Sequence, residues 1–300
     1  MAVIVTKFGG SSVASVEKIK NAAEKIKKIY DQGNQLIVVV SAMGDTTDEL
    51  IGLAGQVSDA LDDREMDSLL STGEQQSAAL MALSLHSLGC QAVSLSGWQA
   101  GISSDGNHSK AKIIAIDGTR IKKELSERKI VVIAGFQGVT QENDVSTLGR
   151  GGSDTSAVAL AAMMKADRCI IFTDVDGVYT TDPRIVEDAR KIDIISYNEM
   201  LEMASLGAVV LQPRAAEFAM IYKVDVEIAC SFNENPGTLV TEVIKMEKHR
   251  TVSAVASDKN CARFALFDVP DKPGIAKIIF NALAENQINV DMVIQIAMRD

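Results

Sequence analysis

Short aliphatic runs separated by helix-patterned stretches constrain this chain more than any other feature of its sequence. Residues 2–5, 36–40, 92–95, 130–134 and 169–172 are rich in Val, Ile and Leu and read as buried strands. Between the first two, Val16, Ile19, Ala22, Ala23, Ile26, Ile29 and Tyr30 recur at helical spacing, and Gly33 supplies a stop. Residues 69–88 and 197–222 carry further helical patterns. Alternation of this kind predicts an α/β fold, with a mainly parallel central sheet sandwiched by helices. In such sheets ligands bind beyond the carboxyl ends of the strands, so the segments just after each run are where chemistry is to be sought.

Composition narrows the choice of partner. The chain has 300 residues and a formal charge of −10 with no basic stripe, which argues against a nucleic-acid surface. A polyanionic ligand must therefore meet local cations, and Lys7, Arg150 and Arg184 are the candidates. The four cysteines, Cys90, Cys169, Cys230 and Cys261, form no C-x-x-C pair and read as structural thiols in a reducing compartment. The three histidines are scattered, so no zinc pattern is visible. The N-terminus lacks a signal-peptide layout and no apolar run reaches the roughly 20 residues that span a bilayer. The expectation is a cytoplasmic protein without a membrane partner.

The character changes after Val243. Residues 244–253 are polar at their start and read as a linker between a main domain, 1–243, and a smaller one, 254–300. In the smaller part the pattern predicts a strand at 262–269, a turn at 271–274, a helix at 275–286 and a strand at 290–296. Two strands are marginal alone, so this piece reads as a shortened unit.

The segments that follow the strands carry polar motifs. Thr6-Lys-Phe-Gly-Gly-Ser-Ser12 offers Lys7 as a compact charge, with Gly9 and Gly10 bringing backbone N–H groups close to a phosphate. An ordinary strand-ending turn is the alternative, and the position at the first strand of an α/β sheet favours the phosphate reading. Ser41-Ala-Met-Gly-Asp-Thr-Thr-Asp48 has hydroxyls at Ser41, Thr46 and Thr47 suited to a small polar ligand, or simply to capping a helix. Glu74, in Ser71-Thr-Gly-Glu-Gln-Gln76, is expected at the head of an apolar helix over 78–85, where a carboxylate is favourable or binds an ammonium group. Thr147-Leu-Gly-Arg-Gly-Gly-Ser-Asp-Thr-Ser156 combines close-approach glycines, the forked cation of Arg150 and a helix start expected among Ser153–Ser156. It matches neither the dinucleotide fingerprint nor the G-x-x-x-x-G-K-[ST] loop. In Thr173-Asp-Val-Asp-Gly-Val-Tyr-Thr-Thr-Asp-Pro-Arg184 a calcium loop fails, because Phe172 and Pro183 occupy the first and last ligand positions. An adenosine-binding loop suits it better, with Tyr179 as the ring, Asp174 as ribose acceptor and Arg184 on phosphate.

Taken together, KFGGSS, SAMGDTTD, STGE, GFQG, TLGRGGSDT and TDVDGVYTTDPR, in this order and spacing, resemble the aspartokinases of the amino-acid kinase superfamily over essentially the whole chain. DKPG and INVDMVIQ resemble the first half of an ACT domain, the amino-acid-sensing module of that family. The resemblance implies transfer of the γ-phosphoryl group of ATP, with Mg²⁺, to the β-carboxylate of L-aspartate. By it, Lys7 and Asp154 are catalytic, and Gly9, Gly10 and Ser11 form the phosphate loop. Ser41, Thr47, Glu74, Arg150 and Ser153 hold aspartate, and Thr173, Asp174, Tyr179 and Arg184 belong to the nucleotide site. Val209 stands where the family often carries a nucleotide-contacting lysine, for which Lys223 is a candidate substitute. The ACT-like segment implies lysine or threonine as effector, a homo-oligomer, and loss of feedback inhibition unless a second chain completes the unit. The rival readings are a glutamate or N-acetylglutamate kinase, and a non-catalytic amino-acid-binding regulatory protein.

Overall fold

A computed structural model describes residues 1–208, 210–242, 252–257, 262–270, 272–286, 288, 290, 293 and 294. The chain divides into two compact units, Met1–Asp258 and Lys259–Asp300.

The first unit is built on an eight-stranded sheet. Its first half contains β1 (Val3–Phe8), α1 (Val16–Asp31), β2 (Gln35–Val40), α2 (Thr46–Val57), α3 (Asp63–Ser87), β3 (Ala92–Leu95), β4 (Ile102–Ser104), β5 (Ile113–Ile116), α4 (Thr119–Ser126) and β6 (Ile130–Ala134). Its second half contains β7 (Gln137–Val139), β8 (Val145–Thr147), α5 (Gly152–Met164), β9 (Arg168–Thr173), β10 (Ile194–Ser196), α6 (Tyr197–Ser205), α7 (Pro213–Tyr222), β11 (Val226–Cys230) and β12 (Thr238–Thr241). The sheet runs β10-β12-β11-β9-β1-β2-β6-β3, and every neighbouring pair is parallel except β11 with β12. All five expected strands lie in it.

Helices cover both faces, which is why β2 and β6 are buried almost end to end and can be nearly continuous Val and Ile. Alternation along β1 sends Ile4 and Phe8 into an apolar layer with Ile19, Ala23 and Ile26 of α1 and Met81 and Leu85 of α3. Val5 faces the other layer, with Ala157, Val158 and Leu160 of α5 and Ala215, Ala216 and Ala219 of α7. Lys7 shares the face of Val5 and so points toward α5. The centre of the sheet is also its switch point: β1 connects through α1 to β2 on one side and pairs with β9 on the other.

Local signals explain both ends of α1. Ser15 caps α1 by accepting the Lys18 N–H at 3.2 Å, and Gly33 adopts φ +87° beyond its end. Within this unit the structure departs from expectation in four places. The region 197–222 is two helices, broken at 206–212, because Pro213 starts α7 with its fixed φ and missing N–H. α3 begins at Asp63, capped by Asp62, so Glu74 lies inside a 25-residue helix and not in its first turn. α5 begins at Gly152 behind Gly151 at φ +74°, so Ser153 and Asp154 sit in its first turn and no side chain caps it. A second sheet, β5-β4-β7-β8, was not visible in the pattern, its strands being three or four residues long.

In the second unit, α8 (Ile275–Glu285) follows Gly274 at φ +98° and matches the expected helix. Residues 262–267 are in no strand among the described residues, contrary to expectation. Most of the expected strand at 290–296, most of the linker, Asp271, Cys261 and Val209 lie outside the described residues.

One buried acid ties the small sheet to the main body. Asp67 of α3 is wholly buried and accepts from His108 Nδ1 at 2.8 Å, from the Ser109 N–H at 3.0 and 3.1 Å and from the Thr147 hydroxyl. Thr147 leads directly into the glycine-rich loop, so this node fixes where that loop starts. Removing one partner of a buried polar cluster strands the others, and Asp67→Ala should lower unfolding stability by about 3 kcal/mol. Urea titration checks this, and a loss within experimental error would show that the node carries no stability.

Candidate active site

A cavity of about 250 Å³ opens beyond the carboxyl ends of the central strands. Its lining brings together Lys7 near the end of β1 and Gly10 after it, Ser41 and Thr47 after β2, Phe136 after β6, Glu74 of α3, and Ser153 and Asp154 of α5. These segments are far apart in sequence, and the parallel sheet brings them to one edge.

Lys7 Nζ lies 2.6 Å from Asp154 Oδ1, with both side chains about nine-tenths buried. The approach lies off the hydrogen-bonding direction, so this is a charge contact, and Asp154 Oδ1 has no hydrogen-bond donor. Glu74 is 4 % exposed. Its Oε1 accepts the Ala42 N–H at 3.1 Å, whereas Oε2 is buried without a partner. Burial pushes its carboxyl up to about 7, against the smaller opposing effect of the Ala42 bond. An unpartnered carboxylate oxygen facing a cavity calls for a ligand that brings a donor, and an ammonium group satisfies it best.

Glycines set the shape of the cavity. The Gly9 N–H donates to Phe172 O at 3.3 Å, tying the turn after β1 to the end of β9 and diverting that N–H from any ligand. A Cβ at Gly10 would press on Ala42 O at 3.1 Å. In the GFQG turn Phe136 holds φ +67°, its N–H donating to Ser156 Oγ at 3.2 Å, and Gly135 leaves room for Ser153.

The other expected residues lie outside this lining. Arg150 is exposed, one residue ahead of Gly151, which lines the cavity. Ser11 is exposed and its carbonyl accepts from Lys18 Nζ. Thr173 ends β9, its hydroxyl donating to the exposed Asp174 at 3.2 Å, and Tyr179 is half-buried in a bridge with Lys191. Arg184 folds back on Asp182 through two nitrogens at 3.0 and 2.9 Å. Lys223, at the far end of α7 from the cavity, pairs with Glu242 at 3.1 Å. One residue absent from the sequence reading, Gln212, lines the cavity. Its neighbour Arg214 lies outside the lining and donates to Leu148 O at 2.7 Å and Ala111 O at 2.8 Å. The signal that could have found them is Pro213, a helix-start residue lodged in what looked like one long helix.

The state of Glu74 has a stability signature. Its folded pKa is raised, so between about 4.5, where the unfolded chain ionises, and about 7 the folded state holds the extra proton. Stability therefore falls as pH rises through that window. Glu74→Gln removes the dependence and should be the more stable protein at pH 8 by up to about 3 kcal/mol, with no advantage near pH 4.5. Urea midpoints of both proteins across this range decide it; a wild type that gains no more with acid than the variant overturns the assignment.

Comparison with known proteins agrees with this geometry. A family model described as the amino acid kinase family matches residues 2–230. The aspartokinase of Geobacillus stearothermophilus is 53 % identical over 295 residues, covering 98 % of this chain and 72 % of the relative. The crystal structure of aspartate kinase from Synechocystis superposes with a TM-score of 0.73 at 44 % identity, over 95 % of this chain and 49 % of that one. E. coli aspartokinase III in complex with aspartate and ADP superposes with a TM-score of 0.81 at 26 % identity, over 98 % and 76 %. With a buried lysine, an unpartnered glutamate and a glycine-walled cavity at the switch point of its sheet, this chain belongs to the amino acid kinase family and, within it, to the aspartokinases.

Proposed function

We propose that this protein transfers the γ-phosphoryl group of ATP to the β-carboxylate of L-aspartate, yielding 4-phospho-L-aspartate. The observation that carries the reading is one small cavity holding a buried cation, Lys7, beside a glycine-rich turn and a buried carboxylate, Glu74, with an unpartnered oxygen. The first suits a phosphate and the second an α-ammonium group.

The nucleophile needs no base. A β-carboxylate with a pKa of about 3.9 is ionised at neutral pH, so the barrier is the meeting of an anion with a polyanion. Catalysis then rests on positioning and on charge placed in advance. Lys7 turns from Asp154 toward the phosphates, and Asp154, left near the reacting groups, orders the remaining charge. The Gly10 and Ser11 turn approaches the phosphate chain. Thr47, Ser41 and Ser153 line the amino-acid pocket, Glu74 takes the ammonium and Arg150 closes over the α-carboxylate from the exposed loop. The 173–184 segment, with Thr173, Asp174, Tyr179 and Arg184, is assigned to the nucleoside. For that role Arg184 must leave Asp182.

Mg²⁺ is assigned to the nucleotide and not to a protein cage: the described residues contain no group of three or more acidic, His or Cys side chains able to hold an ion. That fits a metal carried chiefly by phosphate oxygens and water, where it offsets phosphate charge. Residues 254–300 are assigned to an ACT-like regulatory segment taking lysine or threonine, in a homo-oligomer. No helix among the described residues is long and apolar enough to cross a membrane, and a cytoplasmic location is proposed.

Hydroxylamine trapping of the acyl phosphate tests the reading, with L-aspartate, L-glutamate and N-acetylglutamate run in parallel. Hydroxamate is expected from aspartate alone; product from another acid, or none, overturns it. Lys7→Ala should lower kcat at least about 100-fold, the usual loss when one preorganised charge donor to a developing anion is removed. A change confined to the aspartate KM would refute that role. Arg150→Ala should raise the aspartate KM with a loss of about 2 kcal/mol, the low end for a charged contact because the side chain starts in solvent, and leave the ATP KM unchanged. An unaltered aspartate KM would remove Arg150 from the pocket.

A further inference from the structure

The turn Gln212-Pro213-Arg214 touches both ends of the glycine-rich loop. At the near end, Arg214 donates from Nη1 to Leu148 O at 2.7 Å and from Nη2 to Ala111 O at 2.8 Å. These two acceptors belong to segments already joined by Ala111 N–H to Thr147 O at 2.9 Å. Leu148 is itself buried, with its N–H on Phe136 O at 2.8 Å, so Arg214 fastens the last anchored residue before the loop departs. At the far end, Gln212 packs against Gly151 so closely that a Cβ there would overlap its side chain. Between the two anchors lie Gly149 at φ +73°, Arg150 and Gly151 at φ +74°, which lead into Ser153 and Asp154.

The arrangement is costly unless it does something. A half-buried guanidinium normally faces a carboxylate. Among the described residues Arg214 has no acidic partner within ion-pair distance, and both of its acceptors are carbonyls. Its forked donors suit the bridging of two separate strands of backbone, which a lysine, with a single nitrogen, does less well. Two left-handed glycines make the intervening loop soft, so its shape depends on how its ends are held.

We propose that the 212–214 turn is a clamp on the 148–152 loop, with Arg214 a positioning residue for the amino-acid substrate and Gln212 the wall that holds Gly151 in place. The turn reaches the substrate through the loop: Arg150 is presented from its middle and Ser153 from its end. The kinetic consequence rests on the aspartate reading above; the clamping itself does not.

The test uses the full chain with Arg214→Met, Arg214→Lys and Gln212→Ala. Misplacement of a substrate-holding group by a fraction of an ångström to an ångström costs about 10- to 100-fold, so Arg214→Met should raise the aspartate KM about tenfold or more. The ATP KM and kcat should stay within about twofold, since Lys7 and the turn after β1 are untouched, and Arg214→Lys should recover part of the loss. Deuterium uptake at 148–153 should quicken in Arg214→Met and, at 151–153, in Gln212→Ala. An unchanged aspartate KM, equal rises for both substrates, or no recovery with lysine overturns the positioning role. Unchanged uptake overturns the clamp, and this readout holds even if aspartate proves not to be the substrate. Should Arg214→Met fail to fold, Arg214→Lys and Gln212→Ala carry the same comparisons.

Discussion

The contact between Lys7 and Asp154 organises this molecule. Two opposite charges, each about nine-tenths buried, meet at 2.6 Å where β1 ends and α5 begins. Neither is tolerable there without an opposite charge, since an isolated buried ion retains only a fraction of its hydration. The pair therefore couples two constraints. β1 must be central, so that a residue at its carboxyl end faces the α5 layer, and α5 must start on glycines, so that its first turn comes close enough to present an acid. The parallel sheet satisfies the first and Gly151-Gly152 the second.

The rest of the cavity follows the same logic of polar groups held short of their full complement. Asp154 Oδ1 meets charge without a hydrogen bond, and Glu74 Oε2 meets nothing. By contrast the acid that serves structure, Asp67, is saturated by an imidazole, an amide and a hydroxyl. Two carboxylates on one helix thus have opposite characters, and the difference is set by what surrounds them: seven residues apart on α3, one faces the loops of the small sheet and the other the open edge of the large one. Saturation marks an anchor, and deficiency marks a place for ligand.

Much of this was legible from the sequence because the large sheet is buried on both faces. Unbroken aliphatic runs, mostly Val and Ile, at 36–40 and 130–134 can hardly be anything but interior strands, and once those are placed the polar segments behind them must share an edge. Lys7, Ser41, Thr47, Glu74, Ser153 and Asp154 are brought together for that reason. The misreadings have equally local causes. The start of α3 is polar and exposed, so its apolar periodicity begins late and places Glu74 in a first turn that the helix has already passed. Residues 197–222 keep a helical apolar rhythm across the break, which masked Pro213 and with it Gln212 and Arg214. The strands of the small sheet are too short to show a period. Arg150 and Arg184 are recognisable as cations, but sequence carries no record of which anion a surface arginine will choose, and here Arg150 is exposed and Arg184 rests on Asp182.

The depressed acidity of Glu74 also has a meaning in protons counted rather than in stability. Near neutrality this side chain is divided between its acid and its anion. A ligand that arrives with a positive nitrogen selects the anion, so part of the population must surrender a hydrogen ion as the complex forms. Association is then an exchange, one cation for another in the same buried place. The heat of that exchange contains the ionisation heat of whatever buffer receives the proton, and the apparent affinity rises with pH until Glu74 is fully ionised.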